Sequence, residues 1–443
     1  MKQAIPVLSS GPAGQAMAEA VQTCVHCGFC LPACPTYQVH GKEAESPRGR
    51  ILLIKDVLEG SLPLEQALPH TDSCLGCLAC ETACPSGVRY RELISPFREW
   101  SNHRRSRSLS EKLRRLTLLT TLPFPSRFRL AARLGIATRP LHGLVPKAFR
   151  PMLQLLPASL PPAQPLAPFH HAQSPRRGRV ALLAGCAQQV LAPEINAATI
   201  AVLTRSGIEV VIPESQGCCG ALAWHVGAGD DARAAARRNL KAFPDNVDAI
   251  LTNAAGCGSG LHEYPLILKG CPEEAAATAF ASKVQDVSSF LLRLGLPTIP
   301  PPSRPLRIAY HDACHLSHAQ GVRSAPRNLL RQIPDVTLCE ITDGDTCCGS
   351  AGTYNIDEPE TAAALGALKA NHIAATAADF VAMGNIGCLS QIRLHLGTHP
   401  NAPKPLHTME ILAMALNSQL CPIPLNIQQA PRVSPLAPPC RLP

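Results

Sequence analysis

The chain has 443 residues, enough for two or three domains with sizeable cores. Aromatic residues make up only 4% of it and proline occurs 43 times, which predicts short helices and many loops. The net charge is +9, and the first residues contain no continuous apolar segment of the kind that a signal peptide needs. We therefore expect a cytoplasmic protein whose 20 cysteines stay reduced, and not a secreted disulfide-bonded scaffold.

Two copies of one cysteine pattern follow each other near the start of the chain. Each has the spacing C-x2-C-x2-C-x3-C-P, which is typical of bacterial iron–sulfur sites. In two-cluster arrangements of this kind, the fourth cysteine of each copy binds the other cluster. The pattern therefore predicts two crossed [4Fe–4S] sites. The first consists of Cys24, Cys27, Cys30 and Cys84, and the second of Cys74, Cys77, Cys80 and Cys34.

Disulfides and structural zinc are the alternative interpretations of these eight cysteines. Zinc sites commonly combine two C-x2-C pairs across a longer spacer, whereas this chain has three cysteines at successive x2 spacings followed by Cys-Pro, twice. The iron–sulfur interpretation is therefore the stronger one. It predicts electron transfer as the function and a small α-helical, two-cluster ferredoxin-type domain over residues 1–97.

The next segment, residues 98–178, is basic and then rich in proline. From Arg98 to Arg179 there are sixteen Arg or Lys against two Glu. Basic and apolar residues alternate there at helical spacing, so we expect short amphipathic helices that face solvent or a partner, or that touch an anionic membrane. Nucleic acid is not expected, because no binding module accompanies the charge. Seven prolines between positions 151 and 175 exclude a spanning helix and predict a stiff linker.

The second half of the chain is internally duplicated. RVALLAGC (179–186) reads as a buried strand, and helical and strand segments alternate after it. RIAYHDAC (307–314) begins the same order again. Alternation of this kind predicts a parallel sheet covered by helices. We therefore expect an α+β protein in which the N-terminal domain is followed by two α/β repeats, residues 179–300 and 301–420, and by a Pro-rich tail, residues 421–443.

Eight further cysteines recur in step with this duplication. Each repeat has one after its first strand, a Cys-Cys-Gly element, and one after a later strand. They are Cys186, Cys218, Cys219 and Cys257 in the first repeat and Cys314, Cys347, Cys348 and Cys388 in the second. Loops at strand ends gather into ligand sites in α/β sheets, so each set could hold a further iron–sulfur cluster or zinc, act as a dithiol, or simply pack as small apolar residues.

Other candidates lie near these sets. His311, His315 and His318 flank Cys314, and His225 follows the first Cys-Cys-Gly element; each could be a ligand, a proton carrier or a structural residue. Four cysteines fall outside the repeated register and fit a packing role. They are Cys271, Cys339, Cys421 and Cys440.

These motifs together resemble the glycolate oxidase (glycolate dehydrogenase) iron–sulfur subunit. The resemblance is carried by CVHCGFC, CPTY, SPRGR, ETACPSGVRY, SQGCCGALAWHVG, YHDACHL, DTCCGSAGTYN and NIGCLSQI. It implies an oxidoreductase complex in which FAD subunits oxidise glycolate, or D-lactate, and this chain passes the electrons to a quinone or another acceptor that is not oxygen. The chain has no G-x-G-x-x-G after a strand, so the flavin is expected on a partner. The iron–sulfur subunits of anaerobic glycerol-3-phosphate dehydrogenase and of heterodisulfide reductase have a similar layout and are the alternatives.

One departure from the heterodisulfide reductase pattern concerns the end of each repeat. Those relatives end it in C-x2-C, whereas the last position here is Gly260 or Gln391. The resemblance therefore does not carry over a five-ligand noncubane cluster.

The basic segment, finally, predicts peripheral contact with the cytoplasmic face of the inner membrane.

Overall fold

A computed structural model describes residues 5–146 and 149–420 of the chain. It contains a helical N-terminal part, a helical connecting segment and two α/β units with separate sheets. The expected α+β fold is confirmed. No helix in the described part of the chain is long and apolar enough to cross a membrane. The predicted tail, residues 421–443, lies outside the described residues.

The N-terminal part consists of short helices around one apolar core. The helices are Gly14–Thr23 (α1), Pro35–His40 (α2), Pro47–Leu58 (α3), Leu64–Asp72 (α4), Ala79–Thr82 (α5) and Arg91–Asn102 (α6), with 3-10 turns at Val7–Ser10 and Glu43–Glu45. Helix α6 packs against α1 because its apolar residues Leu93, Ile94 and Phe97 form one buried stripe. The helix continues past position 97, and the domain limits stay a prediction.

The connecting segment contains the short amphipathic helices that its sequence predicts. They are Leu109–Thr121 (α7) and Pro125–Ala137 (α8), followed by a 3-10 stretch, Arg139–Leu144, and by Arg150–Gln154 (α9). Helix α9 lies inside the Pro-rich segment that the sequence predicts as a linker. Pro151 is compatible with it because proline is tolerated in the first turn of a helix.

The first α/β unit has a five-stranded sheet. Its strands are Phe169–His170 (β1), Gly178–Leu182 (β2), Ile208–Val211 (β3), Ala249–Thr252 (β4) and Val284–Asp286 (β5), in the spatial order β1-β3-β2-β4-β5. Only β1, from the end of the Pro-rich segment, is antiparallel to its neighbour. The helices are Gln188–Leu191 (α10), Glu194–Arg205 (α11), Ala221–His225 (α12), Gly229–Ala242 (α13), Ala255–His262 (α14), Tyr264–Ile267 (α15), Glu274–Lys283 (α16) and Val287–Leu294 (α17).

The second α/β unit repeats this topology without the edge strand. Its strands are Leu306–Tyr310 (β6), Val336–Glu340 (β7), Phe380–Met383 (β8) and Lys404–His407 (β9), all parallel, in the order β7-β6-β8-β9. The helices are Ser324–Leu330 (α18), Tyr354–Asp357 (α19), Pro359–Ala374 (α20), Ile386–Leu396 (α21) and Thr408–Leu416 (α22), with a π-helical turn at His315–Ala319. This order corresponds to β3-β2-β4-β5 of the first unit, so the duplication predicted from the sequence is present in the fold.

The two units share one core. Helix α11 packs on α22 and α17 packs on α18, which are equivalent contacts under the duplication. Apolar residues of both sheets, such as Leu182 and Ile308, belong to the same buried cluster. A polar contact crosses this interface: the Nε2–H of His407 donates to the carbonyl oxygen of Asn253 at 2.8 Å. The repeats are therefore joined as one body.

The His407 contact predicts a pH dependence of stability. The Nδ1 atom of His407 accepts from the amide of Met409, so both ring nitrogens are used by the neutral form, and burial lowers the pKa of His407 from 6.5 to about 4. The unfolded chain binds this proton first as the pH falls, so stability is lost from about pH 6.5 down to about pH 4. Between pH 7 and pH 5, this one group should lower the free energy of unfolding by about 2 kcal/mol.

Urea unfolding of the full chain at pH 7 and pH 5 checks this expectation. Asparagine can cap a helix but does not titrate. His407→Asn should therefore reduce the difference between the free energies of unfolding measured at pH 7 and pH 5. The exposed His103 provides the control, and His103→Asn should leave the difference unchanged. Equal pH dependence in His407→Asn and the unsubstituted protein would contradict the assignment.

Candidate metal centres

The first four cysteines of the N-terminal part lie on a loop and a helix start. The loop leaves α1 at Cys24, and Cys34 is the residue before α2, whose first position is Pro35. Gly28 has a φ of +86° within this loop, and a Cβ there would lie 3.0 Å from the guanidinium of Arg48. Glycine is therefore needed for the loop to turn against α3.

A first cavity is lined by the three leading cysteines of the first motif and by the last cysteine of the second. These are Cys24, Cys27, Cys30 and Cys84; Cys80 also lines its wall. Cys27 is exposed, and Arg48 donates from Nη1 to the carbonyl oxygen of His26 at 3.1 Å. Burial raises the pKa of the Cys30 thiol to about 11. This thiol set lies next to the protein surface.

A second cavity is lined by the complementary set. These cysteines are Cys34, Cys74, Cys77 and Cys80, and all four are buried. The linings of the two cavities are compatible with the crossed ligand sets that the sequence predicts, with Cys80 shared between them. The ligand sets themselves stay a prediction.

Arg50 places a buried positive charge in the wall of the second cavity. Its side chain is 1% exposed, and its Nη1 atom lies 3.8 Å from the Sγ atom of Cys34. It also donates to the carbonyl oxygen of His70 at 2.6 Å and to a carboxylate oxygen of Glu45 at 2.8 Å. A buried guanidinium that is hydrogen-bonded on several sides stays charged. It therefore stabilises negative charge on the neighbouring sulfur atoms.

The sulfur of Cys74 has further donors. The Gly76 amide lies 3.4 Å from it and the hydroxyl of Tyr90 lies 3.8 Å from it, while Arg98 donates to the carbonyl oxygen of Cys74. Burial alone would raise the pKa of Cys74, but Arg50, Arg98 and these donors together hold it below its usual value. Four thiols with buried positive charge beside them fit an anionic iron–sulfur cluster.

Sequence reasoning did not single out Arg50, Arg98 or Tyr90. Arg50 ends the SPRGR motif, in which Ser46 caps α3 by accepting from the Gly49 amide at 3.0 Å. The motif signalled a family resemblance, but its function in the fold is to direct Arg50 into the core.

The four thiols of the first repeat also come together. The Sγ atoms of Cys186 and Cys218 are 3.5 Å apart, and Cys219 and Cys257 adjoin them. The interaction of Cys186 with Cys218, together with burial, raises the pKa of Cys186 well above its ordinary value. Gly220 follows with a φ of +83°, which a residue with a side chain rarely adopts.

The second repeat gathers its thiols in the same way. The Sγ atoms of Cys314 and Cys347 are 3.9 Å apart, and Cys348 contacts Cys388. Gly349 has a φ of +88°, and a Cβ there would lie 2.6 Å from the carbonyl oxygen of Ala362 on α20. The glycine of each Cys-Cys-Gly element is thus required by the backbone, and the register seen in the sequence corresponds to spatial grouping.

Three of the candidate histidines lie at the contact with the N-terminal part. The rings of His225 and His315 stack with centroids 5.1 Å apart, and Nε2 of His315 lies 3.0 Å from the carbonyl oxygen of Gly76. His318 lies 3.0 Å from the hydroxyl of Thr82. They bridge the second motif loop to both repeats, which is a structural function that sequence spacing did not reveal.

The second cavity adjoins the thiols of the second repeat. Cys77, Cys314 and Cys347 belong to one buried cluster together with Leu75 and Tyr354. Outside the repeated register, Cys271 and Cys339 are half-buried and join none of the four sets, whereas Cys421 and Cys440 lie outside the described residues. Every cysteine in the described part of the chain is a free thiol.

Comparison with known proteins identifies both kinds of domain. Residues 20–88 match the family described as a 4Fe-4S dicluster domain, and residues 180–262 and 308–393 match the family described as a cysteine-rich domain. Lactate utilization protein A of Oceanobacillus iheyensis is 30% identical over 236 residues, which are 53% of this chain and 96% of that protein.

Two longer matches cover both kinds of domain. The glycolate oxidase iron-sulfur subunit of Escherichia coli (strain K12) is 36% identical over 409 residues, which are 90% of this chain and 95% of that protein. The probable glycolate oxidase iron-sulfur subunit of Bacillus subtilis (strain 168) is 38% identical over 392 residues, 84% of this chain and 88% of that protein. Because these similarities extend over most of this chain and most of each relative, the chain belongs to the family of glycolate oxidase iron–sulfur subunits.

Proposed function

We propose that this chain is the electron-transfer subunit of a glycolate dehydrogenase complex. An FAD-bearing partner oxidises glycolate to glyoxylate, and this chain passes the electrons to a quinone or another acceptor that is not oxygen. The observation that carries the proposal is the pair of adjacent four-thiol cavities, one near the surface and one buried beside Arg50. The similarity to a lactate utilization protein favours lactate as a second substrate.

The residues of the two cavities have distinct functions in this proposal. Cys24, Cys27, Cys30 and Cys84 would hold one [4Fe–4S] cluster and Cys34, Cys74, Cys77 and Cys80 the other. When bound, each cluster supplies a one-electron acceptor, so two of them match the two electrons of a reduced flavin. Arg50 and Arg98 offset the negative charge of the second set, and burial keeps water away from it.

The surface around the first cavity suits contact with the flavin subunit. Val25 and Phe29 flank the exposed Cys27 and are 66% and 68% exposed. Large apolar side chains at such exposure are typical of interaction surfaces. A partner seated there would lie next to the first thiol set, so we place the FAD-bearing subunit on this face.

Helices α7 and α8 support a peripheral membrane contact at the cytoplasmic face of the inner membrane. Leu109, Leu113, Leu116, Leu130 and Leu134 are between 55% and 84% exposed. The exposed basic residues Lys112, Arg127 and Arg133 lie on the same two helices. Apolar and basic side chains on one helical surface bind anionic lipid interfaces.

Loss of one thiolate from either set should stop electron transfer. In the assembled complex, Cys24→Ala and Cys77→Ala should each reduce glycolate-driven reduction of an artificial acceptor to background, while FAD stays bound because it lies on another chain. Cys339→Ala, outside all four sets, is the matched control and should keep full activity. Full turnover in Cys24→Ala or Cys77→Ala would place the thiol sets off the electron path.

The crossed assignment has its own test. Electron paramagnetic resonance of the reduced complex should show the same loss of signal in Cys34→Ala as in Cys77→Ala, because both residues belong to the second set. Cys27→Ala should lose the other signal. If Cys34→Ala resembles Cys27→Ala instead, each motif binds its own cluster and the crossed ligand sets are wrong.

Membrane contact is tested by sedimentation with lipid vesicles. The complex should sediment with vesicles that contain an anionic lipid, and high salt should release it because the charges are then screened. The double variant Leu113→Ser, Leu116→Ser should bind more weakly, whereas Leu368→Ser, at a 43% exposed leucine elsewhere, should bind normally. Equal binding to neutral vesicles, or no difference between the two variants, would contradict the proposal.

A further inference from the structure

His311 is a buried histidine whose ring adjoins the thiol of Cys348. Its side chain is 0% exposed, and neither Nδ1 nor Nε2 makes a hydrogen bond of ordinary geometry to an oxygen or nitrogen atom. An unsatisfied buried polar group costs stability, and native proteins keep few of them. A buried imidazole with this environment is available to bind a ligand together with the neighbouring thiol.

The ring of His311 lies among thiols. One of its nitrogens and the Sγ atoms of Cys348 and Cys388 all lie within 4.8 Å of one another. Cys347 and Cys314 continue the group, with their sulfurs 3.9 Å apart. One imidazole nitrogen and two thiol sulfurs, from a strand end, a loop and α21, therefore converge on one point.

The first repeat lacks this histidine. His311 lies three residues before Cys314, and the equivalent residue before Cys186 is Leu183. The backbone positions correspond, because the His311 amide donates to Ala382 of β8 and the Leu183 amide donates to Leu251 of β4. Leu183 is also buried and packs against Cys218 and Cys219. The two repeats thus have the same fold but different donor sets.

We propose that the second repeat binds one zinc ion through His311, Cys348 and Cys388, with Cys314 or Cys347 as the fourth ligand. Zinc prefers four tetrahedral ligands of nitrogen and sulfur, at about 2.0–2.1 Å for nitrogen and about 2.3 Å for sulfur. Donor atoms already within 4.8 Å of one another need only small rotations to reach these distances. A mixed Cys/His set favours a single borderline ion over an all-thiolate cluster.

Groups around the site would support bound thiolates. The Nδ2 atom of Asn385 lies 3.4 Å from the sulfur of Cys388 and can donate to it. Lys369 is 2% exposed; burial lowers the pKa of its ammonium group, and the charges of Cys348 and Cys347 act against this effect and favour the charged form. Outer donors and a buried cation of this kind orient ligands and offset their charge. The site therefore has the surroundings of a metal centre.

The zinc ion would stabilise the wall of the second cavity. Cys314 and Cys347 pack against Cys77 in one buried cluster. Joining the strand end, the Cys-Cys-Gly loop and α21 through one ion would fix that wall, so metal binding would be coupled to folding. This function is structural and does not depend on which substrate the complex oxidises.

Metal analysis of the anaerobically purified full chain tests the proposal. We expect about one zinc per chain in addition to iron. X-ray absorption at the zinc edge should show both nitrogen and sulfur neighbours. His311→Leu, which copies the first repeat, and Cys388→Ser should lose the zinc and keep the iron. Cys257→Ser, at the matching position of the first repeat, should keep the zinc.

A further variant distinguishes loss of a zinc ligand from failure of the His311→Leu protein to fold. His311→Cys should retain zinc with sulfur neighbours only, which a purely structural histidine would not predict. Absence of zinc from the unsubstituted chain, retention of zinc in His311→Leu, or loss of iron in place of zinc in that variant would each overturn the proposal. The last result would indicate an iron–sulfur cluster on the same residues.

Discussion

The N-terminal part depends on how a buried thiolate set is balanced by positive charge. Arg50 is almost fully buried and donates to Cys34, Thr36 and Ser73 as well as to Glu45. Burying either the guanidinium or several thiolates alone would be costly, whereas together they offset each other. The cap at Ser46 and the Pro47 start of α3 direct this side chain inward. The same charge makes the second cavity suitable for an anionic cluster.

The duplicated half shows how one fold supports different sites. Both repeats place their cysteines after equivalent parallel strands. They also share a hydrogen bond at the start of the first of these strands: the Arg179 amide donates to Asp248 in one repeat and the Arg307 amide donates to Asp379 in the other, each at 2.8 Å. The topology therefore fixes where donors converge. One difference, Leu183 in the first repeat and His311 in the second, adds an imidazole to the donors of the second repeat.

Much of this architecture could be predicted from the sequence. The spacing of the ferredoxin-type motifs predicted the grouping of eight thiols, because short loops leave little freedom for their cysteines. Apolar runs such as RVALLAGC predicted the strands, and the repeat of Arg and Cys positions predicted the duplication. These features are encoded within short segments, where periodicity and spacing are reliable guides.

Contacts between distant segments could not be predicted in this way. His315 reaches Gly76, and Arg98 reaches the carbonyl oxygen of His225 at 3.1 Å. No local pattern marks such partners, because they depend on how complete domains pack. Helix α9 and strand β1 were missed for a related reason: proline content predicts an extended chain on average, but Pro151 is tolerated in a first turn, and Phe169 gains a strand partner only from β3.

The basic segment illustrates the difference between sequence charge and surface charge. Arg114 pairs with Asp357 at 2.7 Å, and Arg115 donates to the carbonyl oxygen of Val226 at 2.6 Å. Arg105 pairs with Asp72. These side chains line a cavity of about 280 Å³ between α7, the N-terminal part and both repeats. Burial and the nearby arginines lower the pKa of Arg115 to about 10.

Much of the charge that suggested a surface is therefore used inside the molecule, where it joins the parts of the chain. What α7 and α8 present outward is a row of leucines with a few basic residues. A membrane or partner contact at these helices would then combine apolar burial, at roughly 25 cal/mol per Å², with attraction by the few exposed basic residues, and it would need both contributions.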